Sequence, residues 1–319
     1  MAEKMGCYVY VKGLVGVRIN RKDFHWSFGS KAPMASQEDY ESCKIKIQLS
    51  VVKDSLVSQP QGQERKQGNF RYFHAIPNTG SLYYERRICG IPLRFALTVK
   101  DGSINGVVGR SYYRLVKLKL MNLHPIWYIL FDLCTVLLLR EGILPLYAAS
   151  FALKGTGGLI MGPPNIGKTL TALLLAEDPR VSLLGEDIAM SDGEMLWPVP
   201  WTHTYRDYGS AVRKDGCRGH FSSVTVPLKD LFLLERDGED GAPEGRGEEK
   251  LLLLQQYGIG WHSSPAVSVL CYFNDSFSMK ELLERERELL DQIIRKAAPR
   301  VLRAQSPLDY APEVLKSAD

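Results

Sequence analysis

Gly157-Gly-Leu-Ile-Met-Gly162-Pro-Pro-Asn165-Ile166-Gly167-Lys168-Thr169-Leu170 is the stretch from which the rest of the chain can be ordered. Residues 162–169 satisfy the pattern GxxxxGK[ST] at every fixed position, and they sit where that pattern has physical meaning. A short apolar run precedes them and Lys168 to Ala176 has helical character, so the loop joins a strand to a helix N-terminus. There, backbone N–H groups and the helix dipole converge on anionic oxygens. The two prolines lack N–H groups but come early, whereas the donors that face phosphate come from the later part of the loop. Gly162, Asn165, Ile166, Gly167, Lys168, Thr169 and Leu170 are the candidate nucleotide-binding residues. Lys168 is expected to reach the β- and γ-phosphates and the Thr169 hydroxyl to ligate Mg²⁺, which makes ATP and Mg²⁺ the expected cofactors.

Outward from the loop, Leu146 to Leu153 and Gly157 to Met161 read as strands on one side, and Val181-Ser-Leu-Leu as a strand on the other. Strand, helix, strand in this order is the grammar of an α/β nucleotide-binding core. The last strand runs into Glu186-Asp187, with Asp187 19 residues beyond Lys168. Two carboxylates then stand at a strand end beside the loop, one to hold Mg²⁺ and one to accept a proton from an incoming hydroxyl. Further on, Ile188 to Trp197 reads as a hairpin around Asp192-Gly193, and Val224 to Leu234 as a strand. Arg236 to Lys250 reads as a solvated insertion, and Ser278 to Pro299 as a capped amphipathic helix packed on the core. Arg206, Arg213, Lys214 and Arg218 are candidate phosphoryl clamps, Arg213 first among them.

The first 120 residues differ in kind. Tyr8 to Lys12, Leu14 to Ile19, Lys44 to Leu49 and Leu93 to Val99 are short β-branched or alternating runs, while Ser58 to Asn69 is polar and reads as a loop. Residues 1–120 hold 20 Lys/Arg against 9 Asp/Glu, and residues 121–319 hold 20 against 27, so a balance of +11 meets one of −7. Internal or oligomeric pairing explains this better than nucleic acid, because no nucleic-acid-binding motif accompanies the basic residues. The expected organisation is a β-rich N-terminal domain over 1–120 and a P-loop domain over 121–319, with the helix from His124 to Arg140 opening the second.

Composition narrows the class. With 45% hydrophobic and 24% charged residues the chain is an ordinary globular one. Its most lipid-like run, Ile126 to Leu139, is 14 residues long and contains Asp132, too short and too polar for a bilayer crossing. No signal-peptide pattern opens the sequence, and six dispersed cysteines lack any CxxC spacing. A cytoplasmic protein with reduced thiols is expected.

Leu146-Tyr-Ala-Ala-Ser, the phosphate loop, and Leu183-Leu-Gly-Glu-Asp together resemble the core of HPr kinase/phosphorylase-like proteins, which share a phosphate-loop fold with phosphoenolpyruvate carboxykinases. The likeness spans residues 124–235 at most. It implies an α/β kinase core of that type behind the β-rich domain, with Glu186 as the base toward a serine hydroxyl and Asp187 as a metal ligand. Two positions depart from the family: its acidic doublet is usually Asp-Asp, and it places a His where this chain has Tyr147. The second departure counts against the phosphorylase direction and leaves the kinase direction open. Among its relatives, lasso-peptide kinases, which phosphorylate the C-terminal serine of a precursor peptide, are the most similar in core motifs and size. The resemblance thus implies a peptide or protein substrate with an acceptor serine, and assembly into homo-oligomers. Alternatives from the residues alone are a small-molecule kinase acting on a sugar or free serine, an AAA-type ATPase and a non-catalytic nucleotide-binding module. Against the AAA type, Leu231-Phe-Leu-Leu-Glu235 lacks the required Asp-Glu.

Overall fold

The computed structural model of the chain describes residues 5–21, 34–59, 63–67, 70–76, 79–100, 102–117, 125–199, 222–237, 251–252, 254–255, 258–274 and 276–318. In chain order the elements are β1 (Gly6–Val11), β2 (Val15–Ile19), α1 (Gln37–Glu41), β3 (Ile45–Val52), β4 (Gln63–Gln67), β5 (Phe70–Ile76), β6 (Thr79–Ile88), β7 (Ile91–Lys100) and β8 (Ser103–Gly109). Then follow α2 (Arg110–Lys117), α3 (Pro125–Arg140), β9 (Leu144–Leu146), β10 (Ala149–Leu153), β11 (Thr156–Met161), α4 (Lys168–Leu175) and β12 (Val181–Gly185). The last are β13 (Ala189–Ser191), β14 (Met195–Trp197), β15 (Val226–Arg236), α5 (Pro265–Phe273), α6 (Met279–Lys296), β16 (Pro299–Ala304) and α7 (Tyr310–Ala318). This is a mixed α/β protein, and none of the described helices is long and apolar enough to cross a membrane.

The chain divides into two compact units, Met1–Glu141 with Trp261–Leu283, and Gly142–Gly260 with Glu284–Asp319. The division falls at Gly142, whose positive φ of 76° ends the turn after α3, so α3 sits in the first unit.

The first unit is built on a mixed sheet in the order β1-β2-β3-β8-β7-β6-β5-β4. Its pleat follows the period-two pattern of the sequence: Ile45, Ile47, Leu49 and Val51 of β3 point to the core, as do Leu93, Phe95, Leu97 and Val99 of β7. The polar stretch Ser58 to Asn69, expected to be a loop, instead contains β4, which pairs antiparallel with β5 from Gln63↔His74 to Gln67↔Phe70. An edge strand needs one hydrogen-bonded neighbour and no apolar face, and charged residues suit it because they discourage further pairing. Apolar periodicity therefore carries no signal for it.

The second unit holds a sheet in the order β12-β10-β11-β15-β14-β13-β9, with β16 added beside β15. Every residue of β10 is buried, as befits a strand covered on both faces. The segment Leu146 to Leu153, expected to be one strand, is broken: β9 pairs with β13, β10 pairs with β11 and β12, and the chain changes partners at Tyr147-Ala148. The hairpin β13–β14, β15 and α6 lie close to where the sequence places them, with the Ser278 hydroxyl accepting from the Glu281 N–H at 3.4 Å. Leu282, Leu289, Leu290 and Ile293 form the buried stripe of α6. Residues 238–250 of the expected insertion lie outside the described residues.

Asp132 is the one acidic residue in the apolar run of α3. Burial outweighs its hydrogen bond with Ser264 and pushes its carboxyl up to about 6. The folded chain thus holds this proton more tightly than the unfolded one, so the protonated carboxyl contributes fully at low pH and the contribution is lost as pH rises through about 6. Asp132→Asn should raise stability at pH 8 by about 1–3 kcal/mol, with the gain vanishing near pH 4. Thermal melts at the two pH values check this; an equal gain at both would refute it.

Candidate functional site

Sheet order brings the predicted residues to one edge. Near the end of β11, Ile160 and Leu159 pair with Ala149 and Ser150 at the start of β10, and β12 ends at Gly185 beside the same Ser150. The loop that follows β11 and the acidic pair that follows β12 therefore emerge on the same side, one strand apart. This is the carboxyl edge at which open α/β sheets place ligands.

The loop is shaped by two left-handed residues, Asn165 at φ 64° and Gly167 at φ 110°. Asn tolerates that region better than most side chains, and at Gly167 a side chain is barred twice over. A Cβ there would also stand 2.5 Å from the Pro307 Cβ. Ile166 is buried in the core with Ile160, Ala172 and Leu173, which ties the loop to the sheet. α4 starts at Lys168, and the Thr171 hydroxyl donates to the Gly167 carbonyl at 3.0 Å across its first turn. Thr169 and Leu170 are half-buried at the head of this helix.

Lys168 is only 5% exposed, and its ammonium group bends back over its own loop. Nζ donates to the Gly162 carbonyl at 2.9 Å and to the Pro163 carbonyl at 3.0 Å, and stands 4.0 Å from the centre of the Tyr147 ring. Burial pushes the amine down to about 8, against the pull of the Asp187 carboxylate, which favours its charge. Burial likewise raises Asp187, while Lys168 lowers it. Tyr147 is raised by burial and by the charge of Asp187, so at neutral pH it is a protonated phenol. Lys168, Asp187 and Tyr147 thus form one electrostatic cluster at the mouth of the loop. Glu186, which precedes Asp187, is 0% exposed.

The sequence singles out Tyr147 only through the resemblance of the core motifs, and it gives no signal for the residues that support it. The Gln255 side chain bridges the break between β9 and β10, its Oε1 accepting from the Tyr147 N–H at 2.9 Å and its Nε2 donating to the Pro145 carbonyl at 2.5 Å. Gly258 lies so close that a Cβ would meet the Tyr147 Cγ and Cδ2 at 2.1 Å. These partners are 108 and 111 positions away in sequence, a distance at which no local pattern reports contact.

The cluster suits a bound magnesium–triphosphate. A buried ammonium held by carbonyl dipoles and a raised carboxyl both gain from it, the first from anionic oxygens and the second from a cation. Thr169 and Asp187 are the residues that would hold Mg²⁺. Among the described residues no group of three or more His, Cys, Asp or Glu could hold a metal on its own. Such a site fits Mg²⁺, which uses one or two carboxylates and takes its other ligands from phosphates and water. Arg206, Arg213, Lys214 and Arg218 lie outside the described residues.

Gly258→Ala should lower stability by about 1–3 kcal/mol, since the added methyl must displace the Tyr147 ring from a packed position. A calorimetric scan checks it, and an unchanged melting temperature would show that the ring is not confined.

Compared with known proteins, the chain matches no family model and no curated protein.

Proposed function

We propose that this protein is an ATP-dependent kinase of the HPr kinase-like type that transfers a phosphoryl group to a serine hydroxyl of a peptide or protein. The observation that carries the reading is the cluster of Lys168, Asp187 and Tyr147, with the buried Glu186, beside the glycine-rich loop. A loop that merely bound a nucleotide would have no need of a carboxyl group brought to its lysine from a separate strand, with a second one next to it in the chain. The acceptor class comes from the resemblance of the core motifs to lasso-peptide kinases, and a precursor peptide with a C-terminal serine is the specific substrate proposed.

When bound, MgATP supplies an electrophilic γ-phosphorus with ADP as the leaving group. Backbone N–H groups of the loop and Lys168 hold and neutralise the phosphate oxygens, and Asp187 with Thr169 fixes the metal side. Glu186 takes the proton of the serine hydroxyl as the oxygen forms its bond to phosphorus. Since the residue is fully buried, the step requires its carboxyl to be uncovered when substrate binds, and the proton passes to water from that opened state. Tyr147 keeps the ammonium of Lys168 over the loop. Being a protonated phenol at neutral pH, it is a poor acceptor for the proton of inorganic phosphate, which favours the forward direction.

Glu186→Gln should leave MgATP binding within about threefold and lower transfer roughly 10²–10⁴-fold. Lys168→Ala should abolish transfer. Mass spectrometry of a serine-ending peptide incubated with each variant, beside calorimetric titration of MgATP, separates the two roles. Full transfer by Glu186→Gln would refute the assigned base.

A further inference from the structure

The edge that carries the loop has a direction. β12, β10, β11, β15 and β16 are successive neighbours, and β11, β15 and β16 run parallel, so their carboxyl ends share one side. The acidic pair stands on the β12 side of the loop. If the γ-phosphoryl end of a nucleotide points toward that pair, as the proposed function requires, the nucleoside must extend the other way, over the ends of β15 and β16. β16 is two strand spacings from β11, about 10 Å, which matches the reach from the inner phosphates across the ribose to the base.

What stands there is the turn that follows β16. Pro307 lies against Gly167 of the loop, close enough that a Cβ on Gly167 would meet its Cβ at 2.5 Å and its Cγ at 3.0 Å. The backbone on both sides of this turn is pinned. Arg300 and Arg303 bridge to Asp230 and Glu235 of β15, at 2.9 Å and 3.0 Å, and the Tyr310 hydroxyl donates to the Glu235 carbonyl at 2.5 Å. Within the turn the Ser306 hydroxyl accepts from the Leu308 N–H at 3.3 Å. α7 then packs on the core shared with α4 through Tyr310, Ala311 and Val314. Yet Leu308, held on this fixed backbone, is 56% exposed. Leu308 thus offers an exposed apolar side chain one residue beyond the proline that packs on the loop.

We infer that the turn Pro307–Leu308 is the nucleoside subsite, with the face of the nucleobase lying on the Leu308 side chain. The contact is to a ring face and makes no hydrogen bond to the base edge, so it favours nucleotides over bare polyphosphate without choosing between purines. The inference rests on the proposed nucleotide-binding reading of the loop.

Calorimetric titration of the full chain with MgATP, MgGTP and magnesium tripolyphosphate tests it. Leu308 is exposed, so Leu308→Ala should fold as the parent does. It should weaken MgATP and MgGTP alike by roughly five- to tenfold, the effect of uncovering ~50 Å² of apolar area, and leave tripolyphosphate unchanged. Leu308→Phe should tighten both nucleotides. Unchanged nucleotide affinity in Leu308→Ala, or an equal loss for tripolyphosphate, would overturn the subsite while leaving the loop intact. If the parent bound neither nucleotide nor tripolyphosphate, the reading of the loop would itself have failed, and the subsite with it.

Discussion

A cation buried in a protein interior must be compensated, and in this molecule the compensation of Lys168 organises everything around it. Its ammonium group is nearly withdrawn from water, a state that costs several kcal/mol unless dipoles or charges replace the lost hydration. Three kinds of group replace it: the carbonyls of Gly162 and Pro163, the face of Tyr147, and the carboxylate of Asp187. Each comes from a different piece of chain. The carbonyls require the loop to curl with Asn165 and Gly167 in the left-handed region, the ring requires the strand to break after β9, and the carboxylate requires β12 to end at the same edge as β11. The arrangement of the second sheet can be understood as what it takes to bring these groups to one point.

The ring of Tyr147 shows how far such a constraint extends. A phenol can lie over an ammonium only if its backbone leaves the sheet, and a strand that breaks leaves an N–H and a carbonyl to be satisfied. Gln255 satisfies one of each, the N–H of Tyr147 and the carbonyl of Pro145. Gly258 then fits against the ring where any side chain would collide with it. A residue that touches the candidate site thus depends on two that do not.

The loop, the helix that follows it and the strand that ends at the acidic pair were legible because each is a short local pattern in the sequence. The same holds for β3, β7, the hairpin β13–β14 and the stripe of α6, where periodicity two or 3.6 reports burial directly. What was not legible is what depends on distant partners. β4 is a strand because β5 lies beside it, and its own residues would serve a loop as well. The break at Tyr147 comes from β9 and β10 choosing different neighbours, while the apolar run from Leu146 to Leu153 reads as continuous. Pro307 stands against Gly167, 140 positions earlier, through the return of β16 to the sheet, and nothing in the residues 305–309 announces a phosphate loop.

Under the proposed chemistry, the two positions at which the chain differs from the family its core motifs resemble, Glu186 for an aspartate and Tyr147 for a histidine, are related rather than independent. A histidine at position 147 could share a proton near neutral pH and so serve both transfer and its reversal. A tyrosine raised by burial and by Asp187 holds its proton, and its contribution to the site becomes the ring face presented to Lys168. Proton transfer then falls to the acidic doublet alone. The carboxyl there is borne by a residue whose backbone is fully enclosed, just after Gly185, where a Cβ would meet the Ile188 carbonyl at 2.4 Å. The Glu186 side chain is enclosed with its backbone, so the proposed role as base requires the carboxyl to be uncovered when an acceptor binds. Under the proposed kinase reading, a phenol that keeps its proton, in place of a titratable histidine, favours the forward direction of transfer.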